Sequence, residues 1–309
     1  MRLLFKSNID RADHWIAPLR QQMPDLEVQV WPDIGDPEAI DYALMWKPEP
    51  GLLAGLPNLK AIFSLGAGID HLASDPYLPQ HIPTTRMVDP GLTSGMTEYV
   101  VMQVLYHHRA MLDYRAQQHR KEWRELSYCA AWNRKVSVLG LGVLGRDAAE
   151  KLALLRLDVA GWARSPKQIE GVTCYHGPEG LQEIVARSEI LVNLLPLTTE
   201  TQGLLNQALF DRLPKGACVI NVARGGHLIE ADLLVALDSG QIDSATLDVF
   251  QTEPLAQESP LWTHPRVIIT PHMSSITLPE TASRSVVENI RRIEAGQPPH
   301  HVVDFDKGY

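Results

Sequence analysis

Short apolar runs recur along the chain, separated by stretches with helical spacing. In the first third they are Leu3-Leu4-Phe5, Val28-Gln29-Val30, Tyr42-Ala43-Leu44-Met45-Trp46 and Ala61-Ile62-Phe63-Ser64, each with the length of a buried strand. Residues 11–22 read as a helix between the first two. Further runs follow at 136–139, 157–162, 190–195, 217–222, 244–249 and 266–270, most of them separated by helical patterns such as 146–155, 180–187 and 230–239. Strands that alternate with helices predict parallel sheets with helices packed on their faces. A long helical pattern without proline covers 94–123 and is expected to bridge two domains, with one face available to a subunit partner. A last helix is predicted over 279–294, placed to carry the chain back to the first domain.

The run at 136–139 leads into Gly140-Leu141-Gly142-Val143-Leu144-Gly145 and then into a helical pattern. In that setting Gly140 permits a tight turn, Gly142 lets the backbone approach a diphosphate, and Gly145 lets helix and strand pack closely. The helix N-terminus would then face the diphosphate with its unpaired N–H groups. A dinucleotide fold beginning near 136 leaves a whole domain in front of it. Two loops there follow predicted strands: Trp46-Lys47-Pro48, and Leu65-Gly66-Ala67-Gly68-Ile69-Asp70. The second is either an anion-binding nest of backbone N–H groups or a tight strand-to-helix connection.

A chain of 309 residues, 45% apolar and 21% charged, has the size of two globular domains. Its net charge of −9 disfavours nucleic acid or an anionic membrane as the main partner. Cys129, Cys174 and Cys218 lack the spacing of a metal or redox motif and read as buried, reduced thiols. Arg2, Lys6 and Asp10 interrupt the apolar N-terminus, so no signal-peptide pattern forms, and no run reaches the ~20 apolar residues of a membrane span; a cytoplasmic protein is expected. His107 and His108 are adjacent rather than four apart, so exposed or helix-capping roles are expected rather than a metal site.

Three consecutive strand ends carry chemistry. Arg224 follows the run at 217–222, Asp248 lies at the end of the run at 244–249 and Glu253 follows it, and His272 follows 266–270. With the 65–70 loop and the stretches 193–203, 221–226, 247–254 and 270–272, these residues make the whole chain resemble the D-isomer-specific 2-hydroxyacid dehydrogenase family. Trp46-Lys47-Pro48, 162–165 and 259–262 strengthen the likeness to members that reduce glyoxylate and hydroxypyruvate.

That resemblance implies an α/β protein of two doubly wound parallel-sheet domains with a cleft between them. A flavodoxin-like substrate-binding domain would comprise 1–95 plus 280–309, and a Rossmann dinucleotide domain 96–279. It further implies a small 2-keto acid bound by Arg224, Trp46 and the N–H groups of Ala67 and Gly68. His272 would be the proton donor in reduction, with Glu253 holding its ring and favouring the imidazolium. The cofactor would lie along Gly140, Gly142, Val143, Leu144, Leu195, Pro196, Val222 and Asp248. Turn-capping remains open for Asp248, and a core position for Trp46. A homodimer through the 94–123 region is expected from the family.

One departure bears on cofactor choice. The second strand of the dinucleotide fold ends Trp162-Ala163-Arg164-Ser165-Pro166-Lys167, where an NAD site usually has a carboxylate for the ribose 2′-hydroxyl. Arg164, Ser165 and Lys167 suit a 2′-phosphate, which predicts NADPH as the preferred cofactor and NADH as the weaker one. The alternatives are a dehydrogenase for another D-2-hydroxy acid and a dinucleotide-sensing binding protein of the same fold.

Overall fold

The computed structural model describes residues 1–305. Its chain divides into two compact units, one of Met1–Leu92 together with the chain from Ile276 onward, the other Thr93–Ser275. In the first, β1 (Arg2–Lys6), α1 (Ala12–Gln22), β2 (Glu27–Val30), β3 (Tyr42–Met45), β4 (Ala61–Ser64), α2 (Asp70–Ala73) and β5 (Thr84–Thr85) follow in chain order. The five strands form one parallel sheet in the order β2-β1-β3-β4-β5. Alternation along β1 sends Leu3 and Phe5 to one core and Leu4 to the other. Burial on both faces is why these strands appear as unbroken apolar runs.

The second unit contains most of α3 (Pro90–His108), then α4 (Met111–Arg120), β6 (Lys135–Leu139), α5 (Val143–Leu154), β7 (Asp158–Ala163) and β8 (Thr173–His176). It continues with α6 (Gly177–Arg187), β9 (Ile190–Asn193), α7 (Gln207–Phe210), β10 (Ala217–Asn221), α8 (Glu230–Asp238), β11 (Ile242–Leu247) and β12 (Val267–Ile269). Its seven strands are all parallel, ordered β12-β11-β10-β9-β6-β7-β8. The direction of winding reverses between β6 and β9, the position where open α/β sheets bind ligands. One core holds residues of α3 and α5 against one face, and the other holds α6, α7 and α8 against the opposite face. The expected class of two parallel-sheet α/β domains is the one observed. In the first unit the last helix, α9 (Pro279–Glu294), buries Val286, Val287 and Ile290 in the core that holds Trp15 and Leu19 of α1.

Three expectations are corrected. The helix predicted over 94–123 begins at Pro90, is broken after His108 and ends at Arg120. Ala110 sits at φ +52 with its N–H bonded to the His107 carbonyl, and Lys121 at φ +57 ends the second piece. No glycine or proline marks the break. Long-range bonds on both sides impose it: the His107 ring is held by Ser244 and Thr246, and Asp113 of α4 is ion-paired with Arg266 at 2.6 Å. Those histidine contacts are the second correction, since His108 is buried and His107 is partly buried and bonded rather than exposed. Third, all three cysteines are free thiols, but only Cys218 is buried; Cys129 and Cys174 are half-buried. The short strands β5 and β8 have no clear counterpart in the apolar pattern.

Candidate active site

The turn after β6 is built by its glycines. Gly140 has φ +98, and a Cβ there would lie 2.6 Å from the Leu194 carbonyl oxygen. At Gly145 a Cβ would lie 1.8 Å from the Gly140 carbonyl oxygen, so only glycine allows α5 to approach the turn. Gly142 is different. It caps α5 in extended conformation, is exposed, and has open space where a side chain would stand. Val143 beside it is exposed and Leu144 half-buried, so the first turn of α5 offers unencumbered N–H groups at the switch point. This cradle fits the diphosphate of a dinucleotide.

Around it, Leu195 and Pro196 follow β9 and Val222 follows β10. Asn193 and Asn221, both fully buried, brace these strand ends. Asn193 Nδ2 donates to Asn221 Oδ1 at 3.0 Å, and Asn193 Oδ1 accepts the Leu195 N–H at 3.3 Å. Beyond β7, Arg164, Ser165 and Lys167 are all exposed, and no carboxylate occurs between 163 and 169. The Arg164 guanidinium is 3.7 Å from Glu200, an exposed pairing weak enough for a bound phosphate to displace.

Arg224 follows β10 in extended backbone, anchored from behind. Asn221 Nδ2 donates to its carbonyl at 3.0 Å, and its own Nη1 donates to the Ala223 carbonyl at 2.7 Å. The next residue must be small, because a Cβ on Gly225 would lie 1.9 Å from the Phe250 backbone. After β11, the Glu253 carboxylate is fixed at one oxygen by the Phe250 N–H (3.1 Å) and presents the other to His272 Nδ1 at 2.8 Å. That bond orients the ring and leaves Nε2 as the nitrogen available for proton transfer. Glu253, after β11, and His272, after β12, are thus joined directly, and Arg224 follows β10, the strand beside β11.

Asp248 is fully buried, and its hydrogen bonds run to the loop that carries His272. Its Oδ1 accepts from Thr270 Oγ1 (2.6 Å) and Met273 N–H (2.9 Å), and its Oδ2 from Ser274 N–H (2.9 Å). Its carbonyl accepts the His272 N–H at 2.8 Å.

In the first unit, the loop after β4 is organised by Ser64. This hydroxyl is 2.9 Å from His71 Nε2, 3.0 Å from the Gly66 carbonyl and 3.1 Å from the Gly68 carbonyl. The Ala67 and Gly68 N–H groups have no acceptor among the described residues, and both residues are half-exposed. Trp46 follows β3 and lies over the same loop. Its ring is 4.3 Å from that of His71, and a Cβ on Gly66 would meet it at 2.7 Å. Half-buried, Trp46 packs against the core and keeps part of its surface outside it.

Residues 101–274, more than half of the chain, match the family model for the NAD binding domain of D-isomer specific 2-hydroxyacid dehydrogenases. The chain belongs to this family. The glyoxylate/hydroxypyruvate reductase A of Serratia proteamaculans is 44% identical over 314 aligned positions, covering the whole of both chains. Among solved structures, a D-isomer specific 2-hydroxyacid dehydrogenase from Xanthobacter autotrophicus Py2, in complex with NADPH and MES, superposes with a TM-score of 0.97. It is 46% identical, with 100% of this chain and 99% of that one covered. The NADPH-dependent glyoxylate/hydroxypyruvate reductase of Sinorhizobium meliloti, in complex with NADP and sulfate, gives 0.94 at 41% identity and the same coverage.

Sequence reasoning about this dehydrogenase passed over the residues that brace the site. Ser64, His71, Asn193, Asn221 and Thr270 hold loops or strand ends rather than facing outward. A signal for the asparagines was present: a polar residue closing an otherwise apolar strand has to find a buried partner.

Proposed function

We propose that this member of the family is an NADPH-dependent reductase of small 2-keto acids, converting glyoxylate to glycolate and hydroxypyruvate to D-glycerate. The observation that carries the reading is the Glu253–His272 pair at 2.8 Å, joining the ends of β11 and β12 beside the β10 end that bears Arg224. NADPH, when bound, supplies the hydride. Arg224 binds the substrate carboxylate and its carbonyl oxygen with a planar fork, and the unpaired N–H groups of Ala67 and Gly68 serve the carboxylate. His272 delivers a proton from Nε2 to the carbonyl oxygen. Glu253 compensates the ring's charge until the proton leaves. Trp46 limits the size of the substrate.

Gly140, Gly142, Val143 and Leu144 hold the diphosphate in this reading, Leu195, Pro196 and Val222 line the rest of the cofactor, and Asp248 shapes its nicotinamide end. Arg164, Ser165 and Lys167 select NADPH through the 2′-phosphate, with NADH the weaker cofactor. The unit beginning at Met1 is the substrate domain, and Thr93–Ser275 is the dinucleotide domain. Three free thiols support a reducing compartment, the cytoplasm. Exposed Met102, Met111, Tyr114 and Trp123 support a homodimer through this stretch.

The test is a panel of glyoxylate, hydroxypyruvate, pyruvate and phenylpyruvate with NADPH and NADH side by side. Turnover of glyoxylate and hydroxypyruvate, much faster with NADPH, is expected. Absence of turnover on every keto acid overturns the reading.

A further inference from the structure

Helix α3 and strand β11 meet through polar side chains where apolar ones would pack the same interface without burying polar atoms. Ala245 and Leu247 of β11 belong to the core on one face of the sheet. Ser244, Thr246 and, just past the strand, Asp248 have the opposite phase and are all buried. On α3, Tyr99, Gln103 and His107 recur every four residues and make a single stripe.

The two rows interlock. His107 Nδ1 lies 3.0 Å from Ser244 Oγ, and its Nε2 2.8 Å from Thr246 Oγ1. Thr246 Oγ1 donates to Gln103 Oε1 at 3.3 Å, and Gln103 stands one turn from Tyr99 on α3. Tyr99 Oη is 2.6 Å from Thr270 Oγ1, and Thr270 Oγ1 donates to Asp248 Oδ1 at 2.6 Å.

Counting protons gives the chain a direction. A carboxylate only accepts, so the single proton of Thr270 goes to Asp248 and that of Tyr99 goes to Thr270. The proton of Thr246 goes to Gln103 Oε1. The Tyr99–Thr270 and Thr270–Asp248 bonds then polarise one another towards Asp248. Asp248 is also the residue that fixes the loop carrying His272, through the N–H groups of His272, Met273 and Ser274. That loop needs fixing: His272 has φ +53, a left-handed conformation that is disfavoured for non-glycine residues.

We propose that Tyr99, acting through Thr270 and Asp248, is a positioning residue that holds the His272 loop in its strained, productive conformation. The inference rests on His272 being the proton donor of the reductase read above. It extends the site to helix α3, on which the notional substrate and cofactor contacts place no residue.

The test uses the full-length enzyme with Tyr99→Phe, Thr270→Val and Thr270→Ser. Readouts are kcat, KM for NADPH, the single-turnover rate of hydride transfer and Tm. Loss of one buried hydrogen bond is expected to slow hydride transfer and kcat by about 3- to 10-fold in Tyr99→Phe and Thr270→Val. KM for NADPH is expected to stay close to the parent value, and Thr270→Ser to restore the rate. A purely structural role lowers Tm while leaving the hydride-transfer rate at the parent value, and that result overturns the proposal. Should Tyr99→Phe fail to fold, the Val/Ser pair at Thr270 decides alone. A parent enzyme inactive on the whole keto-acid panel overturns the functional reading, and this one with it; an active parent with unaltered variants overturns only the positioning role.

Discussion

At the scale of single residues, the site depends on geometry as much as on charge. Arg224 offers a planar fork whose backbone is fixed by Asn221 and whose guanidinium is steadied by the Ala223 carbonyl. A lysine there keeps the charge and loses the two-pronged match to a 2-keto acid. Arg224→Lys is expected to lower kcat/KM for hydroxypyruvate by roughly 10²-fold or more, with NADPH affinity nearly unchanged; steady-state kinetics beside a cofactor titration checks both. In the NADPH reading, Arg164 has a separate task. A charge-assisted bond to the 2′-phosphate is worth roughly 1.5–3 kcal/mol, about one to two orders of magnitude in affinity. Arg164→Ala is therefore expected to weaken NADPH by that factor and to spare NADH. Equal loss for both cofactors, measured by fluorescence titration, would show that Arg164 does not read the phosphate.

At the scale of elements, α3, α4 and β11 carry two consequences. Ala110 breaks the helix at φ +52, where an L-residue with a Cβ is disfavoured by about 1–2 kcal/mol and glycine is not. Ala110→Gly is expected to leave Tm unchanged or raise it. In an uninterrupted helix the same change would cost about 1 kcal/mol, so the sign of the shift, read by thermal unfolding, reports the break. The second consequence concerns His107, whose enclosure between α3 and β11 pushes its pKa down to about 4 from 6.5. The unfolded chain binds this proton below about pH 6.5 and the folded chain only near 4, so the neutral ring's contribution is complete above 6.5. It is lost as pH falls through that window, by up to roughly 3 kcal/mol. His107→Gln is expected to lose part of this acid sensitivity, seen as a smaller drop in the urea midpoint between pH 7 and pH 4.5.

At the scale of the whole molecule, apolar side chains stay exposed along one stretch. Met102, Met111, Tyr114, Trp123, Tyr128 and Trp132 fall within about thirty residues, and Trp123 is fully exposed. A second copy covering this surface is expected to give a particle of twice the chain mass in light scattering. Met102→Glu combined with Trp123→Glu is expected to shift it towards the monomer. An unchanged mass in the variant would place the subunit contact elsewhere.

Much of this was legible in the sequence, for a physical reason. A strand buried on both faces must be apolar throughout, so β1, β3, β4, β6 and β9 stand out as runs. The needs of the phosphate turn are local, a positive φ at Gly140 and no Cβ at Gly145, and only glycine meets them. Arg224, Glu253 and His272 were legible because a charged or imidazole side chain just beyond a buried strand has few structural uses. What the tertiary structure alone decided depends on partners far away in the chain. Thr84–Thr85 becomes β5 only because β4 offers it an edge. The break at Ala110 leaves no mark on a continuous helical pattern, since its causes are Ser244, Thr246 and Arg266, more than 130 residues on. Tyr99, Gln103 and His107 read as ordinary helix residues until β11 brings Ser244, Thr246 and Asp248 beside them. A local pattern records which face of an element is buried, and the fold alone determines which polar group is waiting there.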